Sequence, residues 1–338
     1  MRTVLALLGA AFMVVAAIVF RDVVIDGDDG DGNGSSDGPA RIVCATEVAN
    51  ACDVLADNGV RVTVEPAGVT AARLTVLTDE EARDPGLDGW LVPTPWPELV
   101  RATRQQAGLG PVINEPGDSV ARSPIALAIW DARIPVLDTQ CDTIDWRCIG
   151  EVAPSGEVRP AFPDPQTSAT GRDVLGQVAT NYFGNADISP FDVQTDQAFR
   201  IFLDSLADNS APLPPGADPL ALMLSTGGAQ VDVVGVYQAQ ACPTLRGAAR
   251  GEEVELIYPA PVATAELEFA PVTRAAGADR LEDLVTGDDG RDALSSTGWY
   301  VDDDGPDCEN SPDLPGGSNL PSAGVLQVLS ELWAQVSR

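Results

Sequence analysis

Carboxylates are the reactive groups that this chain has in greatest number. Its 338 residues include 51 aspartates and glutamates against 20 arginines, and neither histidine nor lysine occurs. A chain without an imidazole or a side-chain amine cannot build a Ser-His-Asp triad, a Cys-His pair, a Walker phosphate loop or a Schiff base. Carboxylate acid–base chemistry, a metal held by carboxylates and plain ligand binding remain open.

Three carboxylates, Glu47, Asp131 and Asp164, could form a set for acid–base or metal chemistry. With 51 acidic residues such groupings arise by coincidence, so we interpret them as solvated surface and expect no catalytic residue, metal or cofactor. A hydrolase of the glycosidase type stays as an alternative, because it needs two carboxylates and no histidine.

The six cysteines predict disulfide bonds formed in an oxidising compartment. A thiolate metal site is the alternative, but the sequence contains no Cys-x-x-Cys. Six cysteines allow 15 connectivities. Proximity in sequence favours two pairs and leaves the third by elimination: Cys44–Cys52, Cys141–Cys148 and Cys242–Cys308.

Charge and the N-terminal sequence predict where the protein works. A net charge of −31 would repel nucleic acid, so no nucleic-acid partner is expected. Residues 4–20 carry no charge and lie between Arg2 and Arg21. This pattern predicts a signal anchor over residues 1–21 that holds the protein in the cell membrane. A cleaved signal peptide, with secretion of the protein, is the alternative.

The Asp- and Gly-rich residues 22–40 predict an acidic flexible tether. Residues 41–338 keep 45 acidic residues against 18 arginines, a net charge of −27. We therefore expect an acidic extracellular domain.

Strand patterns alternate with helix patterns along this domain. Apolar runs predict strands at 41–45, 60–64, 89–93, 125–130, 231–237 and 254–258, and helical patterns fall between and after them, including 171–183 with Ser168 or Thr170 as its cap. Such alternation favours α/β layers with mostly parallel sheets, and the length favours two lobes in a monomer. Four large aromatics are interpreted as core: Trp90, Trp96, Trp130 and Trp146.

Several segments, in this order, resemble the type II periplasmic-binding-protein fold, in particular the extracellular solute-binding proteins of ABC importers related to molybdate binders. The segments that carry the resemblance are 41–47, 88–96, 122–129, 162–172, 227–238, 254–261, 292–300 and 320–322. In this resemblance, 122–129 and 254–261 are the two segments that cross between the lobes.

The resemblance implies a two-lobed protein that is no enzyme and captures a small molecule or oxyanion between its lobes, for delivery to an ABC permease. It implies a first lobe of residues 41–125 and 262–338 and a second lobe of residues 126–261. A sensor or interaction module on the same fold is the alternative. The implied ligand residues are Thr46, Thr94, Ser168, Thr170 and Tyr237, with Ser168 and Thr170 at a helix N-terminus that suits an anion.

Overall fold

Strands and helices alternate over the residues that the computed structural model describes, 38–214, 216–302, 305–306, 308 and 310–337. The strands in these residues are β1 (Arg41–Ala45), β2 (Arg61–Glu65), β3 (Gly89–Pro93), β4 (Ala121–Trp130), β5 (Pro160–Ala161), β6 (Val233–Tyr237), β7 (Val254–Ile257) and β8 (Thr264–Pro271). The α-helices are α1 (Ala49–Ala56), α2 (Ala67–Val76), α3 (Trp96–Gln106), α4 (Ile134–Gln140), α5 (Trp146–Val152), α6 (Ala169–Phe183), α7 (Pro190–Thr195), α8 (Gln197–Asp208), α9 (Pro219–Thr226), α10 (Gln238–Gly247), α11 (Ala278–Thr286), α12 (Asp288–Ser296) and α13 (Ala323–Val336).

Three parallel strands form one part of the sheet. β1 lies between β2 and β3, with Ile42 opposite Val62 on one side and Gly89 on the other. β3 is buried along its whole length, whereas β2 lies at the sheet edge and exposes part of each residue. Since these strands run in one direction, the loops that follow β1 and β3 emerge at the same edge, where α/β sheets bind ligands.

β4 joins the two parts of the sheet. Its residues 121–124 pair with β8, and its residues 125–130 pair with β6 and β7. We call β1–β3 and β8, with the helices on them, the first lobe, and β5–β7, with theirs, the second lobe. The predicted two-lobed α/β architecture is confirmed.

The prediction of mostly parallel sheets is wrong. β1–β2, β1–β3 and β5–β6 are parallel pairs, but every pair that includes β4 or β8 is antiparallel. β4 leads the chain into the second lobe, and β7 and β8 lead it back, so they run against β4. Strand direction depends on this route through both lobes, which the alternation of strands and helices does not reveal.

Helix α6 is the central helix of the second lobe. Its first thirteen residues are all buried, because it contacts β4, β6, α5 and α13. The last helix, α13, packs on α6, α7 and α8 and also reaches α3 of the first lobe. The lobe boundaries given above from the sequence therefore stay a prediction.

Aromatic residues and disulfides add to the core. Trp90, Trp96, Trp130 and Trp146 are all buried, as predicted. The disulfides have the predicted connectivity, with Cα–Cα distances of 6.6, 5.8 and 6.0 Å for Cys44–Cys52, Cys141–Cys148 and Cys242–Cys308. These distances fall within the usual range for disulfides.

The predicted signal anchor and nearly all of the predicted tether lie outside the described residues. Among the residues that are described, no helix has the length and apolar character needed to span a membrane.

Candidate functional site

A cavity of about 690 Å³ lies between the two lobes, at the end of β1 and the N-terminus of α6. Its volume is in the range of small-molecule sites. Two other cavities, of about 470 and 840 Å³, are each lined mainly by one lobe. Thr46, Ser168 and Thr170 of the predicted ligand residues line the cavity, together with Glu47, Pro66, Val69, Pro163, Asp164, Thr167, Leu213, Pro214, Gly216, Ala217, Asp218, Pro219, Leu220, Gly235, Val236, Gln240 and Thr244.

Glu47 is the only one of the three considered carboxylates that is buried. It lies in a short 3-10 turn directly after β1 and is 6% exposed, whereas Asp131 and Asp164 are exposed. The interpretation of all three as solvated surface is therefore wrong for Glu47. A buried carboxylate is stable only where donors or positive charge compensate for lost water.

The N-terminus of α6 supplies those donors. Glu47 Oε1 accepts a hydrogen bond from the Ser168 hydroxyl at 2.8 Å and another from the Thr170 backbone N–H at 3.1 Å. Ser168 is also the N-cap of α6, because its hydroxyl oxygen accepts from the Gly171 N–H at 3.2 Å. The helix dipole adds favourable potential for a negative charge. The position predicted for a bound anion thus holds a carboxylate of the chain itself.

Other hydroxyl and amide groups surround this carboxylate. The exposed Thr46 donates from Oγ1 to Glu47 Oε2 at 3.1 Å. The Thr170 hydroxyl donates to Gln240 Oε1 of α10 at 3.0 Å. Polar side chains from both lobes therefore converge on one end of the cavity.

The lobes also touch through backbone. The Gly68 N–H of α2 donates to the Thr167 carbonyl at 2.9 Å. A Cβ at position 68 would lie 2.2 Å from the Gln166 carbonyl oxygen, so only glycine permits this approach. The two lobes are closed against each other beside the cavity.

Arg172 makes a third contact between lobes. Its guanidinium lies 3.8 Å from the centre of the Trp96 ring, at the start of α3, and its Nε donates to the Pro165 carbonyl at 3.3 Å. Burial lowers the pKa of Arg172 to about 10, so it remains charged at neutral pH. Arg172 does not line the cavity. Its guanidinium contacts Trp96 and the Pro165 carbonyl of the second-lobe loop instead.

Tyr237 lies away from the cavity wall. It is fully buried at the end of β6, and its hydroxyl donates to Asp173 Oδ2 at 2.6 Å. Burial raises the pKa of Asp173 to about 8, although the Tyr237 hydrogen bond acts to lower it. Burial likewise raises the pKa of Tyr237 well above its usual value. Among the described residues, Asp173 Oδ1 has no hydrogen-bond partner.

Thr94 is likewise not part of the cavity wall. It is half-buried just after β3, and its N–H donates to the Glu266 carbonyl at 2.8 Å. In this closed arrangement the structure brings together Thr46, Ser168 and Thr170, but not Thr94 or Tyr237.

The cavity is acidic. Among its described lining residues are three carboxylates, Glu47, Asp164 and Asp218, and no arginine. Asp164 accepts from the Gln166 N–H at 2.9 Å, and Asp218 caps α9 by accepting from the Leu220 N–H at 2.8 Å. No group of three or more acidic or cysteine side chains in the described part of the chain could hold a metal ion.

Residues 41–300 match a family model described as bacterial extracellular solute-binding protein. The chain belongs to this family. The match covers both lobes and the whole described cavity wall. The family and the structurally similar proteins are binding proteins, so the hydrolase alternative has no support. No curated protein matches the sequence.

Solved structures of the same fold share little sequence with this solute-binding protein. The sulfate-binding protein of Mycobacterium tuberculosis H37Rv is 15% identical, with a TM-score of 0.55 over 79% of this chain and 88% of that chain. A periplasmic thiamin binding protein is 12% identical, with a TM-score of 0.59 over 91% and 99%. A putative spermidine/putrescine ABC transporter protein from Listeria monocytogenes is 12% identical, with a TM-score of 0.58 over 88% and 98%. At such identities the likeness establishes the type II periplasmic-binding-protein fold and leaves the ligand open.

The sequence-based site missed the central role of Glu47. One signal for it was available: Glu47 closes the segment 41–47, which resembles a strand followed by a ligand loop. Two of its three donors, the Ser168 hydroxyl and the Thr170 N–H, come from residues more than 120 positions later in the chain, and nothing in the local pattern indicates them.

Proposed function

We propose that this protein captures a small solute in the cavity between its lobes and presents it to an ABC permease. The observation that carries the proposal is the cavity itself, which both lobes line and where Glu47 of the first lobe meets the N-terminus of α6 of the second. A ligand held by both lobes favours the closed form through its higher affinity for that form.

Three of the predicted ligand residues are proposed to contact the solute: Thr46, Ser168 and Thr170. Each carries a hydroxyl group on the cavity wall, and each also donates a hydrogen bond to Glu47, Thr46 and Ser168 from the hydroxyl and Thr170 from its backbone N–H. Tyr237 is proposed to act indirectly, since its hydroxyl holds Asp173 in the turn that follows Thr170. Thr94 stays a predicted ligand contact.

The proposed lobes, residues 41–125 with 262–338 and residues 126–261, would move about β4 and the connection between β7 and β8. We further propose that residues 1–21 anchor the protein in the cell membrane, or are cleaved as a signal peptide, and that residues 22–40 tether the domain. Support for this comes from the uncharged run at 4–20 and from the extracellular family. Such a tether would keep the binding domain near a permease in the same membrane.

The test is a thermal-shift screen of the full chain in mild detergent against oxyanions, sugars, amino acids and amines. A ligand at 100 times its Kd stabilises the folded state by about 2.7 kcal/mol. Val69→Trp should then fill the cavity and weaken every ligand by about 100-fold or more, which is about 2.7 kcal/mol. Val69 is 46% exposed, so the larger ring should not disturb the core.

Val76→Trp is the matched control, because Val76 lies on the same helix, is 75% exposed and does not line the cavity. The two variants should differ strongly in ligand affinity while having similar melting temperatures. Equal affinity in both variants and the unmodified protein would exclude the cavity as the binding site.

A further inference from the structure

The position where a helix N-terminus would bind an anion is already filled. Glu47 places its own carboxylate there and accepts from the Ser168 hydroxyl and the Thr170 N–H. A free oxyanion at this point would have to displace a covalently attached carboxylate. It would also lie beside two further carboxylates, Asp164 and Asp218, with no arginine among the described wall residues. The wall thus opposes anions at short range.

The carboxylate of Glu47 is fixed in position. Its three donors orient both oxygens, and an ionised carboxylate has about four acceptor sites. By this count one acceptor site is left for a further donor, and Glu47 lines the cavity. Because Glu47 is only 6% exposed, its charge is screened less by water than that of the exposed Asp164 and Asp218.

Apolar side chains form another part of the wall. Val69 and Pro66 of the first lobe face the cavity together with Leu213, Leu220 and Val236 of the second. A ligand that suits this wall has a positively charged hydrogen-bond donor for Glu47 and a hydrocarbon portion for the apolar side chains. The exposed Asp164 and Asp218 of the same wall suit a second positive charge.

We propose that Glu47 determines specificity and that the cavity takes a small organic cation, with its ammonium group on Glu47 and its hydrocarbon portion along the apolar wall. This inference rests on the proposed function and names the chemical class of its solute. The ammonium donates to the free acceptor site of Glu47, and Asp164 and Asp218 raise the local concentration of cations at the rim.

The experiment is isothermal titration calorimetry on the full chain with three probes: 1,4-diaminobutane, the neutral 1,4-butanediol and sulfate. The unmodified protein should bind the diamine, and should bind it more tightly than the diol or sulfate. Glu47→Gln keeps an acceptor oxygen but removes the charge, and should weaken diamine binding by about ten-fold or more. Glu47→Asp keeps the charge and should retain part of the affinity.

Glu252→Gln is the matched control, because it makes the same change at an exposed residue that does not line this cavity. Its affinity for the diamine should stay within about two-fold, since an exposed distant charge is screened. Thermal unfolding of each variant checks that the fold is retained.

Three results would overturn the inference: no binding of the diamine, tighter binding of sulfate or the diol, or equal loss of diamine affinity in Glu47→Gln and Glu252→Gln. The Val69→Trp variant separates this failure from failure of the proposed function. If Val69→Trp abolishes binding of sulfate or the diol, the cavity is the site and only the ligand class is wrong. If it leaves all binding unchanged, the proposed site is wrong as well.

Discussion

Two buried carboxylates are associated with helix α6, and their surroundings differ: Glu47 contacts the N-terminus of the helix, and Asp173 belongs to it. Glu47 meets the first turn of α6, where a hydroxyl and a backbone N–H donate to it and Thr46 donates to its other oxygen. Asp173 lies in the second turn, has one donor in Tyr237, and has its pKa raised to about 8 by burial. The two buried carboxylates thus differ in the number of their donors and in their position relative to the helix N-terminus.

The largest expected effect concerns the pH dependence of stability at Asp173. Its carboxyl has a pKa of about 8 in the folded protein and 3.8 as the ordinary value. The folded state therefore holds a proton that the unfolded state releases between these values, and rising pH favours unfolding. Relative to Asp173→Asn, the free energy of unfolding of the unmodified protein should fall by up to about 1.4 kcal/mol per pH unit from about pH 5 to 8.

Urea denaturation at several pH values measures this difference. The charged groups near Asp173 are Arg172, Glu47 and Glu266, and all are unchanged in the variant. Glu268, whose pKa burial raises to about 7, titrates in both proteins and cancels in the comparison. Asp204→Asn, at an exposed position in α8, is the control. Parallel pH curves for Asp173→Asn and the unmodified protein would contradict the account of Asp173 as a protonated buried acid.

A smaller effect is expected from Tyr237→Phe, which removes the donor to Asp173 Oδ2. Leaving a buried acceptor unpaired should lower the free energy of unfolding by about 1–3 kcal/mol. Since the Tyr237 hydrogen bond lowers the pKa of Asp173, that pKa should rise further in the variant. Chemical denaturation measures the free energy of unfolding, and its dependence on pH gives the pKa of Asp173.

Tyr182→Phe is the control for the loss of a hydroxyl group, because Tyr182 lies half-buried against Phe199. If both tyrosine variants changed stability equally, the Tyr237–Asp173 hydrogen bond would have no special contribution.

The smallest change in the free energy of unfolding is expected at the helix N-terminus that contacts Glu47. Ser168→Ala removes the N-cap of α6 and one donor to Glu47, and should lower the free energy of unfolding by about 1 kcal/mol. Thr167→Ala, at the exposed neighbouring position, should change it by less than about 0.5 kcal/mol. Thermal unfolding compares the two, and a Ser168→Ala protein as stable as Thr167→Ala would argue against capping.

Segments with a continuous local pattern could be predicted from sequence. The strands Arg41–Ala45 and Gly89–Pro93 have the predicted bounds, because an apolar run defines each of them. Helix Ala67–Val76 was not predicted, since it begins with Ala-Gly and contains β-branched residues that disfavour helix. Its position under the second lobe depends on the contact between Gly68 and Thr167.

The candidate site was predicted in part. Thr46, Ser168 and Thr170 line the cavity, and a strand end and a helix N-terminus mark them in the sequence. Their contacts with a ligand stay a prediction. The burial of Glu47 and the antiparallel direction of β8 were not found, because both depend on where distant parts of the chain meet. Local sequence patterns identify polar groups that could contact a ligand. Only the fold shows which of these groups already form hydrogen bonds with each other, as Glu47 and Ser168 do.

The shared strand β4 has a mechanical consequence. Its hydrogen bonds to β8 hold one lobe, and the bonds of the same strand to β6 and β7 hold the other. Unfolding of either lobe would disrupt the strand that supports the other, so we expect the two lobes to unfold together on heating. In an extracellular domain this coupling limits proteolysis, because a form with one unfolded and one folded lobe would not accumulate for a protease to cleave.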